Sequence, residues 1–353
     1  MDVVAAGTGV SAAFQPIVDT ARGIVVGFEG LARFEMPAGI SVEDLFAQAR
    51  ASNRSAEVEA RCLRIILAER GSVPANCFIT VNVSPHVLGH ESIRQVWQDN
   101  ADLAGVFVEL TEQSAIESAA DLEPELDAIR GAGGLIAVDD LGSGYAGLSR
   151  LLALKPELIK LDRELIQGID TDEAKRALVE MIGTFANRID CWVLAEGIET
   201  AAEYDTITAL GVPLAQGYYL ARPGPAWPAL AKPVLPSAVP QPVPVVRDLL
   251  DVAPAVESVA AAARIFTDHA EVRTVVLIDH HGRPRSVLDS ESAHLGVTTD
   301  AVRVNLDTPV RDALLRAITR DSTQRFDPLI ATDNAGRYAG IVRLERLITT
   351  ALQ

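Results

Sequence analysis

The chain has 353 residues, 48% apolar, 22% charged and 5% aromatic, with 25 glycines and 19 prolines, so collagen-like, coiled-coil and wholly disordered classes are excluded. That length suits two domains, or one large α/β barrel with an appendage, and either buries a sizeable core. With 31 Lys and Arg against 48 Asp and Glu the net charge is −17, a field that repels duplex nucleic acid, so any anionic ligand must meet a local cation.

The opening residues, MDVVAAGTGVSAAF, lack the basic region and long apolar core of an export signal, and no apolar run approaches the ~18 residues of a membrane span. Cys62, Cys77 and Cys191 lie far apart without CxxC spacing, which argues against a disulfide framework and a cysteine zinc site. The expectation is a soluble protein of the reducing cytoplasm with no membrane partner. His86 and His90 stand at i, i+4 spacing, but no HExxH glutamate accompanies them and they read as a solvated segment.

In chain order, GIVVGFE, FITVNVS, VFVELTE, LIAVDDLG, LIKLDRE, WVLAEGIE and LAQGYYL are short β-branched or apolar runs that end in polar residues. Helical periodicity falls between them, over Val42 to Arg70, Ser114 to Arg130, Thr171 to Arg188 and Ala201 to Leu210. This alternation predicts a parallel α/β domain of roughly 220 residues, near the ~250 typical of a (β/α)8 barrel. From Arg222 to Val246 the chain then holds eight of the 19 prolines, which sustain neither a helix nor a central strand. The predicted division is a barrel over 1–229, a stiff proline-rich linker over 230–246, and a second module over 247–353.

That module contains an internal repeat. With Val256 laid on Val310, Asp279 falls on Asp333, Gly282 on Gly336 and Arg283 on Arg337, all 54 residues apart. Each copy has an amphipathic helix (Val256 to Phe266; Val310 to Ile318), a short strand (VVLID; LIAT), a D-x-x-G-R turn and another apolar strand. The pattern predicts a small α+β pseudo-twofold unit in which neither half buries its face alone.

Buried-looking strands do not end in carboxylates unless something pairs with them. Here Glu29 ends GIVVGFE, Asn82 ends FITVN, Glu109 ends VFVE, Asp139 and Asp140 end LIAVDD, Lys160 ends LIK, Glu196 ends WVLAE and Gln216 follows LA. From Asn82 onward, taking Asp139 for its strand, the separations are 27, 30, 21, 36 and 20 residues, near one βα repeat each. A closed barrel of parallel strands would bring all of these ends to one face. Five carboxylates and an amide would repel one another there unless cations intervene, and all-oxygen donors without His or Cys point to hard ions, Mg²⁺, Mn²⁺ or Ca²⁺. An Asp–Asp pair on one strand suits two ions in phosphoryl chemistry.

The ordered segments QPIVD at Gln15, EGLAR at Glu29, VNVS at Asn82, ELTE at Glu109, DDLGSGYAGLSRL at Asp139, IKLD at Lys160, AEGIET at Glu196 and QGYYLARP at Gln216 closely resemble the EAL domain family of bacterial cyclic di-GMP phosphodiesterases, over about residues 12–224. The resemblance implies a modified TIM barrel, usually dimeric, that hydrolyses cyclic di-GMP to linear pGpG with two Mg²⁺ or Mn²⁺ ions, Ca²⁺ being a candidate inhibitor. It implies metal ligands at Glu29, Asn82, Glu109, Asp139, Asp140 and Glu196, with Lys160 near the attacking water and Glu196 as general base. It further implies substrate contacts at Gln15, Leu31, Arg33 and Gln216, and loop-supporting acids at Glu112 and Glu199. The C-terminal repeat is similar to a tandem CBS module, for which a nucleotide is a candidate ligand, although Arg343 and Arg346 replace the usual hydroxyl and acid; packing or dimerisation is the other reading.

Two departures stand out: Gly30 where that family has Ala, and Leu141 where it has Phe. Neither removes a metal ligand. The implied function is metal-dependent hydrolysis of cyclic di-GMP, regulated through the C-terminal module and carried out by a homodimer. Its rivals are a catalytically weak or silent receptor for the same nucleotide, and a phosphodiesterase for a different dinucleotide.

Overall fold

Two strands, Val10–Asp19 (β1) and Ile24–Phe34 (β2), open the chain as an antiparallel hairpin that sets Gln15 directly opposite Glu29. The computed structural model describes residues 9–35, 41–110, 122–141, 151, 153–189, 191–231, 233, 244–298, 302–320, 326–333 and 336–352, with Asp140 and Leu141 described for their backbone alone. The chain forms two compact units, Met1–Ala238 and Val239–Gln353.

In the first unit β1 and β2 continue into Phe78–Val83 (β3), Val106–Leu110 (β4), Leu135–Leu141 (β5), Leu158–Leu161 (β6), Trp192–Ala195 (β7) and Leu214–Ala215 (β8), and the eight strands close into a barrel. From β2 to β8 every pairing is parallel, but β1 is antiparallel to both β2 and β8. The all-parallel barrel is thus corrected at one strand. The cause is the short link from β1 to β2, since a parallel crossover needs a dozen or more residues.

Inside the barrel Ile17, Phe78, Phe107, Leu135, Leu158, Leu194 and Leu214 form an apolar plug, with the Phe78 and Phe107 rings 4.9 Å apart. Residues two positions further along a strand share its face. Asn82 therefore stands above Thr80 and Phe78, Glu109 above Phe107, Asp139 above Ala137, Lys160 above Leu158, Glu196 above Leu194 and Gln216 above Leu214. The polar layer at the mouth is the next storey of the same columns.

Helices cover the outside. The single helix expected over Val42 to Arg70 is two, Val42–Ala51 (α1) and Ser55–Ala68 (α2), because Asn53 takes a left-handed φ of 53°, a conformation that Asn tolerates and that ends a helix. Glu91–Asp99 (α3) follows, with His90 as its N-cap through Nδ1. Next come Glu123–Gly131 (α4), Arg163–Ile166 (α5), Glu173–Arg188 (α6) and Ala201–Ala209 (α7); the expected start of α4 near Ser114 lies outside the described residues. Past β8 the chain stays bonded to the barrel: Gly224 exchanges two backbone hydrogen bonds with Phe14, and Trp227 packs on Phe14 and Phe28. Residues 234–243 of the expected linker are outside those described. No described helix is long and apolar enough to cross a membrane.

The second unit repeats one topology. Ala255–Val256 (β9) lies parallel to Val275–Ile278 (β10), which pairs antiparallel with Pro284–Leu288 (β11); Arg303–Asn305 (β12), Leu329–Thr332 (β13) and Tyr338–Val342 (β14) do the same. Helices Val259–Asp268 (α8) and Ser290–Leu295 (α9) belong to the first copy, Val310–Ile318 (α10) and Leu344–Ala351 (α11) to the second. The D-x-x-G-R turns match: Asp279 Oδ1 accepts from the Arg283 N–H at 2.9 Å and Asp333 Oδ1 from the Arg337 N–H at 2.8 Å. Val256, however, is in a strand, so the helix expected from Val256 begins at Val259. Ala253, Val276, Ile330 and Ile341 form a core shared by both copies, as expected of halves that cannot bury their faces alone. Arg343 and Arg346 both reach Asp251, at 3.2 and 2.7 Å, which commits these arginines to a contact within the module.

One departure from the family pattern has a packing explanation. A Cβ on Gly30 would overlap Ile66 Cγ2, on α2, and lie 3.1 Å from the Thr80 carbonyl oxygen. Gly30→Ala is expected to cost about 1–3 kcal/mol by overpacking, and Ile66→Leu, which removes the branch methyl, to recover part of that in the double variant. A denaturant double-mutant cycle measures the coupling.

Candidate active site

Because each strand of the barrel carries one polar residue at the same level, closure converts seven separate strand ends into one network. At its centre the Lys160 ammonium, 1% exposed, lies 2.7 Å from Glu109, 2.8 Å from Glu196, 3.2 Å from Asp139 and 3.5 Å from Glu29. Glu29 is braced from its other side: Asn82 Nδ2 donates to Oε1 at 3.2 Å and Gln216 Nε2 to Oε2 at 2.6 Å. Gln216 Nε2 also donates to Gln15 Oε1 at 3.0 Å, and Gln15 Nε2 to the Ala221 carbonyl at 3.0 Å. Eight of the residues expected at the site are therefore linked.

The electrostatics follow from burial. Removal from water is the largest influence on Lys160 and works against its charge, but Asp139, Glu109, Glu196 and Glu29 outweigh it and hold its pKa well above the ordinary lysine value. Burial pushes the Glu109 carboxyl up to about 8, against the pull of Lys160, and likewise raises Glu196 well above the usual carboxylate range. One ammonium does not neutralise four acids, and the cluster stays short of positive charge.

Divalent cations fit that deficit. Glu109 Oε1 and Gln216 Oε1 are buried without a hydrogen-bond partner among the described residues, so the layer holds acceptor capacity that the protein does not satisfy. The donors are oxygens from carboxylates and an amide, the set preferred by Mg²⁺, Mn²⁺ and Ca²⁺. Among the described residues no three acids converge on a point of their own; the four carboxylates are arrayed around the lysine.

The remaining expectations divide. Leu31 and Arg33 continue along β2 on the face of Glu29, by the two-residue alternation, and Arg33 is exposed. The Asp140 side chain, Glu112 and the loop 142–150 lie outside the described side chains. Glu199 pairs with Arg163 at 2.6 Å.

Sequence reasoning missed the walls. The pocket over the cluster is lined by Arg163, Gly197 and Tyr218 as well as Gln15, Glu29, Glu196 and Gln216. The β7 and β8 loops meet so closely that a Cβ on Gly217 would overlap the Ile198 backbone. Behind them Glu203 is 5% exposed and accepts three backbone N–H bonds, from Gly168 at 3.0 Å, Glu199 at 2.9 Å and Thr200 at 3.0 Å. It ties the segment after β6 to the one after Glu196. Thr200-x-x-Glu203 is a capping box, a signal the sequence did contain.

Two outcomes are expected. Lys160→Met, which leaves buried carboxylates without their cation, should cost about 3–5 kcal/mol of stability, part of it restored by Mn²⁺ in thermal denaturation. For Glu203 burial opposes ionisation, but the three N–H donors outweigh it and hold the folded pKa below the usual 4.5. Its contribution is thus present above pH 4.5 and fades as pH falls through the folded value. Glu203→Gln should cost about 1–3 kcal/mol at neutral pH, a gap that closes on acidification in denaturation curves.

Comparison with known proteins shows the family. Residues 5–223 match the EAL domain and residues 293–352 the CBS domain. Cyclic di-GMP phosphodiesterase PdeL of Escherichia coli (strain K12) is 28% identical over 222 residues, 60% of this chain and 61% of PdeL. A standalone EAL protein from Vibrio cholerae O395, solved with c-di-GMP bound, superposes with a TM-score of 0.55 at 25% identity, over 63% of this chain and 95% of that one. Klebsiella pneumoniae BlrP1, solved as a calcium and c-di-GMP complex, gives 0.53 at 30% identity, over 62% of this chain and 56% of that one. The chain spans less than two thirds of the length of curated relatives such as PdeL. With the EAL domain matched over more than half of its residues, on a barrel whose mouth carries this layer of acids, the chain belongs to the EAL domain family.

Proposed function

We propose that the barrel hydrolyses one phosphodiester of cyclic di-GMP to give linear pGpG, with divalent cations, and that the C-terminal module regulates or dimerises it. The observation that carries this reading is the Lys160 ammonium held among Glu29, Glu109, Asp139 and Glu196, two of which, Glu29 and Glu196, line an open pocket. Similarity to PdeL and to the c-di-GMP-bound EAL structures supports the substrate.

Two Mg²⁺ or Mn²⁺ ions would be held by Glu29, Asn82, Glu109, Asp139, Asp140 and Glu196; when bound they offset charge on the reacting phosphate and acidify the attacking water. The protein's own groups do the rest. Lys160 is kept as an ammonium by its carboxylate neighbours, so it is a donor that orients the water and phosphate and not the base. That leaves Glu196, which lines the pocket 2.8 Å from Lys160, to take the water's proton. The water oxygen bonds to phosphorus as the P–O3′ bond breaks, and the leaving 3′ oxygen is protonated, giving a 5′ phosphate. Gln15 and Gln216 are substrate contacts in this reading, with Leu31 and Arg33 further along β2 on the side of Glu29, and Glu112 and Glu199 support the adjoining loops. The reaction consumes a cytoplasmic messenger in a homodimer, with a nucleotide as the candidate input at the CBS-like module.

The test is hydrolysis of cyclic di-GMP by the full chain in Mg²⁺, Mn²⁺ or Ca²⁺, with products separated by chromatography. pGpG should accumulate, stop on chelation, and fall by about 10²–10⁴-fold in Glu196→Gln, the range of a lost general base. Tight binding without turnover in every metal would make the protein a receptor.

A further inference from the structure

Cyclic di-GMP carries two phosphates, and in the function proposed above the cluster engages one. The other enters a protein of net charge −17, beside four carboxylates that already absorb the charge of Lys160. The pocket wall contains one further cation among its lining residues, Arg163. Its position is built. Gly197 has no side chain, and a Cβ there would lie 2.5 Å from Arg163 Cγ and 2.6 Å from its Cβ, so the arginine stem passes across the backbone next to Glu196. The guanidinium is then fixed on two sides. Nη2 donates to Glu199 Oε1 at 2.6 Å, and the Gln167 amide, turned to put its oxygen toward these donors as their chemistry requires, accepts from Nη2 at 2.8 Å and from Nε at 3.1 Å. Among the described residues Nη1 has no partner. A side chain 56% exposed is thus held in one orientation, with two N–H bonds left to donate at the rim of the pocket.

We propose that Arg163 anchors the phosphate of the cyclic dinucleotide that is not attacked, and that Glu199 and Gln167 are the positioning residues that aim it. This rests on the function proposed above and adds to it a second phosphate subsite. A guanidinium suits the task because its fork matches phosphate oxygens and its charge is permanent. Preorganisation by Glu199 and Gln167 limits the entropy lost when the ligand docks.

Calorimetric titration of the full chain with cyclic di-GMP in Ca²⁺, together with saturating turnover in Mn²⁺, tests the anchor. Arg163→Gln should weaken binding about 10- to 100-fold, the range of one charge-assisted bond, with the saturating rate within about threefold, the signature of binding shared by ground and transition states. Arg163→Lys should keep part of the affinity, and Arg64→Gln, the same loss of charge on an exposed helix, all of it. Glu199→Gln, which leaves the arginine in place but loosens it, should fall between. Unchanged affinity in Arg163→Gln at an unchanged melting temperature overturns the anchor alone, as does a rate that collapses while affinity holds, which would put Arg163 on the reacting phosphate. A wild-type protein that binds no cyclic di-GMP overturns the function reading and the anchor with it.

Discussion

Everything at the mouth of the barrel depends on one ammonium group. Lys160 is 1% exposed and meets Glu29, Glu109, Asp139 and Glu196, each delivered by a different strand. A lone buried charge is prohibitive, and four converging carboxylates are mutually repulsive, but each cancels the objection to the other. The cancellation is incomplete: one ammonium faces four acids, and burial pushes Glu109 and Glu196 toward their neutral forms, so the layer has room for cations that would take the place of those protons. The apolar plug beneath matters equally: Phe78, Phe107, Leu158 and their neighbours exclude water below, so the interaction is strong and directed at the open end.

Much of this was legible because a barrel translates sequence period into spatial level. An acid, amide or amine closing each apolar run, at intervals of one βα unit, predicted that Asn82, Glu109, Asp139, Lys160, Glu196 and Gln216 would meet, and they do. What the period does not carry is strand direction. β1 is a largely buried run like the other strands, and only the short turn after Asp19 reveals that it runs backwards, which is how Gln15 comes to face Glu29. The break at Asn53 was hidden for a similar reason, since the apolar rhythm of α1 and α2 runs across it. Arg163, and the bond that joins the capping residue Glu203 to Gly168, were invisible in another sense. Their roles arise from contacts between successive loops, which no local pattern encodes.

In the second unit the same distinction explains which parts of the repeat align. The D-x-x-G-R turns keep a 54-residue offset because their geometry is demanding: Gly282 and Gly336 sit at φ 77° and 74°, and the aspartates cap the turn's own N–H groups. The helices and first strands carry no such requirement. From Ala255 to Arg303, each the first residue of its strand, the offset is 48, and from Val259 to Val310, each the first helical residue, it is 51, so the connecting segments differ while topology is retained. An alignment anchored on the turns therefore misplaces the helix of the first copy by three residues.

The same logic bears on the residue that departs from the family signature. Gly30 follows Glu29, and the space a methyl would take is filled by Ile66 from α2. The strand and the helix packed on it fill that space between them, as close-packed interiors require. The position of Glu29 is set independently, by its ladder partner Gln15 and by the amides of Asn82 and Gln216. A barrel can therefore carry a different residue beside Glu29 without moving Glu29, provided the outer layer fits it. What the site cannot absorb is a change in the level at which strands end, because that level alone brings carboxylates from four strands to one ammonium and the amides of Asn82 and Gln216 to Glu29.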